Sequence, residues 1–247
     1  MAYNPYSLQG KTILVTGASS GIGRATAVAC SKMGGTVILT ARSEERLKET
    51  EGMIGEDCSI IPADLTSEQD MNRLIEQLPE IDGVVLCAGQ TQTIPVKFAK
   101  REKFISPFEI NFFALVEFNR LLFSKKVLRK GASVVIVSSI GGIDIFNPGN
   151  MIYGTSKAAL NSYMKYAAKE FSTRLVRVNS VCPGMVETPL IHAGVYTEEQ
   201  LTEDVKKYPL GRFGRPDDIA NSIVFLLSEA SSWITGTSLI VDGGVTI

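Results

Sequence analysis

Residues 13–29 read ILVTGASSGIGRATAVA: an apolar β-branched run that breaks at Gly17 and resumes, past Gly21 and Gly23, as a small-residue helix. Without a Cβ, the backbone at these glycines can approach a ligand closely. A helix opening on them offers unpaired N–H groups and the positive end of its dipole, a natural seat for a pyrophosphate. A tight turn needs one glycine, whereas three at the first strand-to-helix junction match the setting a phosphate-binding turn requires. The spacing is G-x-x-x-G-x-G, which differs from the common dinucleotide pattern G-x-G-x-x-G.

The same alternation continues outward from that turn. Strand-like runs fall at 11–16, 36–40, 59–61, 83–86, 133–137, 177–181 and 238–241. Helical patterns lie at 22–33, 43–53, 67–77, 107–129, 151–171 and 216–227. Strands that are apolar on both faces and separated by helices predict an α/β, doubly wound, parallel seven-stranded sheet with helices on both faces, a Rossmann-like single domain over 1–247. The polar stretch 187–215 is expected to be a lid over the substrate region. Two helical stretches, 108–123 and 158–171, are apolar over more than one stripe, so a second subunit can cover the face the sheet leaves open.

The chain has 247 residues, 45% of them hydrophobic and 21% charged, with a net charge of −1, which provides ample material for a core. Scattered basic residues on a near-neutral chain argue against nucleic acid as the main partner. No apolar run reaches the roughly 18 residues of a membrane span, and the first residues show no basic-then-apolar leader. Cys30, Cys58, Cys87 and Cys182 have neither metal-ligand spacing nor a disulfide framework. They read as free buried thiols of a cytoplasmic protein, and no metal site is expected. The lone histidine, His192, falls in the lid, and Trp233 is expected to pack near the last strand.

Residues 138–160, SSIGGIDIFNPGNMIYGTSKAAL, place Tyr153 and Lys157 one helical turn apart, downstream of two serines. Neither group is an acid or base near neutral pH by itself, since their unperturbed pKa values are about 10 and about 10.4. Together with TGASSGIG, this pair resembles the short-chain dehydrogenase/reductase family, whose marks are TGxxxGxG and YxxxK. Further fragments follow in the family's order: ADL at 63–65, CAG at 87–89, Asn111, SS at 138–139, VNSVCPG at 178–184 and ITG to VDGG at 234–244.

The resemblance implies a nicotinamide dinucleotide. Ser19, Ser20 and Ile22, with Gly17, Gly21 and Gly23, would lie at its pyrophosphate, Asp64 and Leu65 at the adenine, and Cys87, Ala88 and Gly89 at the nearer ribose. Pro183, Gly184, Val186 and Thr188 would hold the nicotinamide. The second strand ends in Ala41, where NAD users of the family carry Asp, and Arg42 follows. A guanidinium fork suits a 2′-phosphate, so NADP(H) is expected. LCAG at 86–89 departs from the family's NNAG and removes two asparagines that hydrogen-bond between strands.

Implied chemistry follows the same residues. Tyr153 would give a proton to the substrate oxygen as hydride arrives, tuned by the Lys157 ammonium. Ser139 would hold that oxygen, Lys157 would also hold the nicotinamide ribose, and Asn111 would hold a water leading protons to the lysine. Ser139 to Tyr153 is one residue longer than is common in the family, and Ser138 would lengthen it further; IDIFNPGN is the turn-rich place for the extra residue. The chain most resembles bacterial 3-oxoacyl-(acyl-carrier-protein) reductases, which implies a small carbonyl or alcohol substrate, an acyl carrier protein as partner and a homotetramer. Lys130 and Arg174 fall where those reductases meet the carrier. The alternatives are a general secondary-alcohol or sugar dehydrogenase of the same family, and a non-catalytic NADP(H)-sensing protein.

Overall fold

Seven parallel strands form the sheet in the order β3-β2-β1-β4-β5-β6-β7. The computed structural model describes residues 3–191 and 197–247, so His192 lies outside the described residues. The strands are β1 (Thr12–Thr16), β2 (Thr36–Thr40), β3 (Cys58–Ile60), β4 (Ile81–Leu86), β5 (Leu128–Val137), β6 (Arg177–Pro183) and β7 (Ser238–Val241). Helices α1 (Gly21–Lys32), α2 (Glu44–Ile54) and α8 (Pro216–Leu227) cover one face, packing with Ile13, Val15, Val37 and Leu39. Helices α3 (Glu68–Gln77), α5 (Ala114–Ser124) and α6 (Met151–Phe171) cover the other, with Leu14, Ile38, Val84 and Ile136. Alternate residues of one strand thus enter opposite cores, which is why the strands read as unbroken apolar runs.

The order reverses between β1 and β4, so the loops leaving those two strands part there and open a crevice at the carboxyl edge. The helix expected over 107–129 is instead three pieces: α4 (Glu102–Phe108), a π turn (Glu109–Phe113) and α5. Pro107 lacks the N–H that would continue the ladder, and the backbone re-spaces directly after it. Lys126, at φ 60°, turns the chain sharply out of α5 so that β5 starts at Leu128, five residues before the expected strand.

The stretch 187–215 carries more core than its polarity suggests, and Trp233, Cys58 and Cys87 are less buried than expected. The stretch 187–215 contains α7 (Glu198–Val205) and an apolar cluster of its own, in which Ile191, Leu201, Tyr208 and Phe213 are buried. Its apolar residues are too widely spaced in sequence to show a period. Trp233 is 99% exposed, because it follows the short 3-10 turn Glu229–Ser231 onto the surface. Cys30 and Cys182 are buried, but Cys58 and Cys87 are only partly so, and all four are free thiols. Among the described residues no helix is long and apolar enough to cross a membrane.

Candidate active site

The glycine turn is built as a cradle. Gly17 has φ +65°, and a β-carbon on it would lie 3.1 Å from Ala88 N and 3.2 Å from the Cys87 carbonyl carbon, so β1 and β4 nearly touch at the crevice. On Gly23 a β-carbon would sit 2.2 Å from Gly17 O, a position no side chain can take. Ser20 is the N-cap of α1 but its side chain makes no capping bond, and the first turn carries no acidic residue. Ser43 and Ser67, by contrast, cap α2 and α3. The first N–H groups of α1 therefore stay open to an anion. Arg24 steadies the turn, its Nη2 donating to Ser19 O at 2.6 Å and to Glu49 at 2.6 Å.

Around this cradle stand the other expected cofactor residues. Arg42 is exposed at the end of β2 and acts on Asp64 electrostatically. Burial tends to raise the Asp64 carboxyl, but hydrogen bonds from the Thr66 backbone and hydroxyl, with Arg42, outweigh it and hold Asp64 below the usual range. Leu65 is buried and seats that turn in the core. Thr188 packs over Gly21, its Cγ2 3.1 Å from where a β-carbon there would be, and its hydroxyl donates to Val186 O at 3.2 Å. Pro183 O accepts from Ile140 N, and Gly184 lies against Asp242. The LCAG turn is held by Thr16, whose hydroxyl accepts from Cys87 N at 2.9 Å and Ala88 N at 3.2 Å. It also donates to Val85 O at 3.2 Å. Thr16 was not singled out in the sequence, although it is the Thr of the TG pair.

Farther along the same edge, Ser139 Oγ and Tyr153 Cε1 lie 3.3 and 3.9 Å from one point, the place a β-carbon on Gly141 would occupy. Ser139 Oγ accepts from Gly141 N at 3.0 Å, whereas Ser138 is buried and its hydroxyl is committed to Lys157 O at 3.1 Å. The geometry separates the two serines as the spacing does. Lys157 is 4% exposed, its Nζ donates to Val137 O at 2.9 Å, and it stands 5.9 Å from the centre of the Tyr153 ring. Burial pushes the Lys157 ammonium down to about 8, against which the Cys87 and Cys182 thiols act. It remains mostly charged at neutral pH.

Asn111 is fully buried in the π turn. Its Oδ1 accepts from Gln90 N at 2.8 Å, and its Nδ2 donates to Gln90 O at 2.9 Å and Ser156 Oγ at 3.0 Å. Asn111 Oδ1 and Lys157 Nζ approach the same point above Gly89, at 3.1 and 3.4 Å. Gln90 and Ser156, unnoticed in the sequence, thus fix the residue next to the lysine. Among the described residues no His, Cys, Asp or Glu cluster could hold a metal.

A family model described as enoyl-(acyl carrier protein) reductase matches residues 17–246. A solved short-chain dehydrogenase/reductase family protein superposes with a TM-score of 0.85 at 31% identity, covering 96% of this chain and 98% of that one. The chain belongs to the short-chain dehydrogenase/reductase family. Within the family it is 36% identical to the 3-oxoacyl-(acyl-carrier-protein) reductase of Rickettsia felis, over 96% of this chain and 98% of that protein. To the reductase of the same name from Thermotoga maritima it is 34% identical, over 97% and 99%. A structure described as an NAD(P)-dependent gluconate 5-dehydrogenase from Beutenbergia cavernae, solved with NADP at low occupancy, has a TM-score of 0.89 at 28% identity, over 98% and 99%. As a member of this family the chain is an oxidoreductase, and the seven-stranded parallel sheet is the family's fold.

Proposed function

We propose that this protein is an NADP(H)-dependent reductase of 3-oxoacyl thioesters, with substrates carried on an acyl carrier protein. The observation that carries the chemistry is the approach of Ser139 Oγ and the Tyr153 ring edge to one point beside Gly141, with a buried, still-charged Lys157 behind them. The open N-terminus of α1 and the glycine cradle fit a pyrophosphate, and exposed Arg42 fits a 2′-phosphate. The 3-oxoacyl substrate is supported by the Rickettsia and Thermotoga relatives.

NADPH held in the glycine cradle would supply a hydride to the carbonyl carbon. Ser139 donates a hydrogen bond to the carbonyl oxygen and fixes it beside Tyr153. As negative charge develops on that oxygen, the phenol transfers its proton to it. At about 6 Å and an effective dielectric constant near 20, an ammonium stabilises a negative charge by roughly 3 kcal/mol, so Lys157 favours the phenolate left behind. Lys157 would also hold the nicotinamide ribose, and Asn111, bonded to the Gln90 backbone, would hold the water that leads protons to Lys157. The segment 187–215 acts as the lid.

A sugar or secondary-alcohol dehydrogenase is the second reading, favoured by the Beutenbergia likeness. NADPH consumption measured over 3-oxobutanoyl thioesters, diketones and sugars decides between them; turnover of sugars alone would refute the thioester reading. A cytoplasmic homotetramer completes the proposal. Exposed Phe113 and Tyr166 support one interface, and exposed Trp233, Ile240 and Ile247 a second. Light scattering showing a monomer at micromolar concentration would refute it.

A further inference from the structure

Residues 96–105 read VKFAKREKFI, and Lys97, Lys100, Arg101 and Lys103 set four cations in seven positions against the one carboxylate of Glu102. All four are exposed. Among the described residues none of the four is in an ion pair, whereas Lys11, Arg24, Arg120 and Arg212 each rest on a carboxylate. The ordinary reading of such a run is a solvated face. Two observations move it away from that. Large apolar side chains are interleaved with the charges, Val96, Phe98 and Ile105 being 68, 57 and 64% exposed. Lys97 Nζ lies 4.8 Å from the centre of the Phe98 ring. Exposed apolar groups set among polar ones are the composition of a protein-binding surface.

Position supplies the second observation. The segment leaves the carboxyl end of β4 through Gln90, which Asn111 holds, and is clipped to the loop before Tyr153 by Ile94 N donating to Gly149 O at 2.8 Å. Lys97, three residues beyond Ile94, is at most about 11 Å from that clip, and Lys103 is equally near its other end, where Gln90 Nε2 donates to Ser106 Oγ at 2.9 Å. The cations therefore stand on the rim of the site. Lys130, by contrast, is seven residues before Val137 on β5, about 23 Å toward the opposite edge of the sheet. Arg174 precedes β6 on that far edge and lies 5.9 Å from the centre of the Phe123 ring. Within one protomer, the pair that family resemblance points to is remote from Tyr153.

We propose that residues 96–105 are the docking surface for an acidic carrier protein, which delivers the 3-oxoacyl thioester from the rim on its flexible arm. This rests on the thioester reading of the site. Charge complementarity selects the partner: a surface of four unpaired cations around apolar side chains fits an acidic protein face, and steers its approach.

The test uses the full chain and Lys100→Glu/Arg101→Glu, two exposed positions, with thermal melting to show that the variant folds. With 3-oxobutanoyl carried on an acidic acyl carrier protein, kcat/KM should fall by roughly tenfold or more. With the neutral N-acetylcysteamine thioester it should stay within about twofold. For the parent, raising salt from roughly 0.05 to 0.3 M should weaken the carrier reaction alone. Fluorescence anisotropy of labelled carrier should report the same loss of binding in the variant, whatever the protein reduces. Carrier binding through 96–105 without reduction of any thioester would refute the substrate reading and uphold the docking surface. Unchanged carrier binding would overturn the proposal, as would equal losses on both thioesters. So would a matching loss with a coenzyme A thioester, whose phosphates would then be the occupant, or a loss caused by Lys130→Glu/Arg174→Glu in its place.

Discussion

Removing the charge at Lys157 should make the folded protein more stable at neutral pH while destroying its chemistry. The ammonium is 4% exposed, and burial holds it at about 8, against an ordinary value of 10.5. A lysine whose folded value is depressed imposes a penalty on the native state that is fully present below the folded value. That penalty is relieved as pH rises from about 8 toward 10.5, because the unfolded chain binds the extra proton throughout that window. The gap corresponds to about 3 kcal/mol at pH 7, falling to about 1 kcal/mol at pH 10. Lys157→Met removes the penalty but leaves Val137 O without its donor, which costs about 1 kcal/mol or a little more. Near pH 7 the variant should therefore be more stable than the parent by about 2 kcal/mol, and near pH 10 the two should be close to equal. Urea denaturation of both proteins without ligand at the two pH values measures this, and their difference cancels every other titrating group. A stability gap that does not change between pH 7 and 10 would refute the reasoning, whatever happens to activity.

Tyr153→Phe removes only the hydroxyl, so turnover should fall by roughly 10²-fold or more while NADPH affinity, by fluorescence titration, stays within a few-fold. Ser139→Ala should lower kcat without weakening NADPH. Ser138→Ala should instead show in thermal melting, as a loss of about 1 kcal/mol, because that hydroxyl is bonded to Lys157 O. Arg42→Asp should reverse an NADPH-over-NADH preference of tenfold or more, the worth of about 1.5–3 kcal/mol for a charged hydrogen bond; equal parent affinities would contradict it. Gly23→Ala drives a methyl to 2.2 Å from Gly17 O, so cofactor binding should be lost and melting should drop by several degrees.

The sheet was legible because its evidence is local: each buried strand is a short apolar run, and each helix shows its period. The first glycine turn and the Tyr153/Lys157 spacing were legible for the same reason. What the sequence hid depends on distance in space. The π turn at Glu109–Phe113 follows from Pro107 lying within a helix that its neighbours still favour, a competition that no period reveals. Thr16 holding the LCAG turn requires β1 and β4 to be adjacent, although they are far apart in the chain. The cations of 97–103 are visible as letters, but overall composition averages them to near neutrality, and only the Ile94–Gly149 and Gln90–Ser106 bonds tie the two ends of their segment to the rim of the site.

Lys157 explains why the site tolerates the LCAG departure. Its Nζ is tied to Val137 O on β5, stands over Gly89 beyond β4, and feels Cys87 and Cys182 at the ends of β4 and β6. These groups converge because Leu86 pairs with Ile136, and Val137 with Val181, across three parallel strands. The alignment is set by backbone register, and a slip of one residue would turn every side chain of a strand to the other face. Register in turn is held by two buried cores, in which Val85 and Val135 face one side and Val84 and Val134 the other. A pair of asparagines at the strand ends can refine that alignment but does not create it. Thr16, fully buried and bonded to three backbone groups at the β4 end, suffices to fix the two residues that matter there. Replacing Thr16 by Val should thus damage activity more than restoring asparagine at Leu86 and Cys87 improves it.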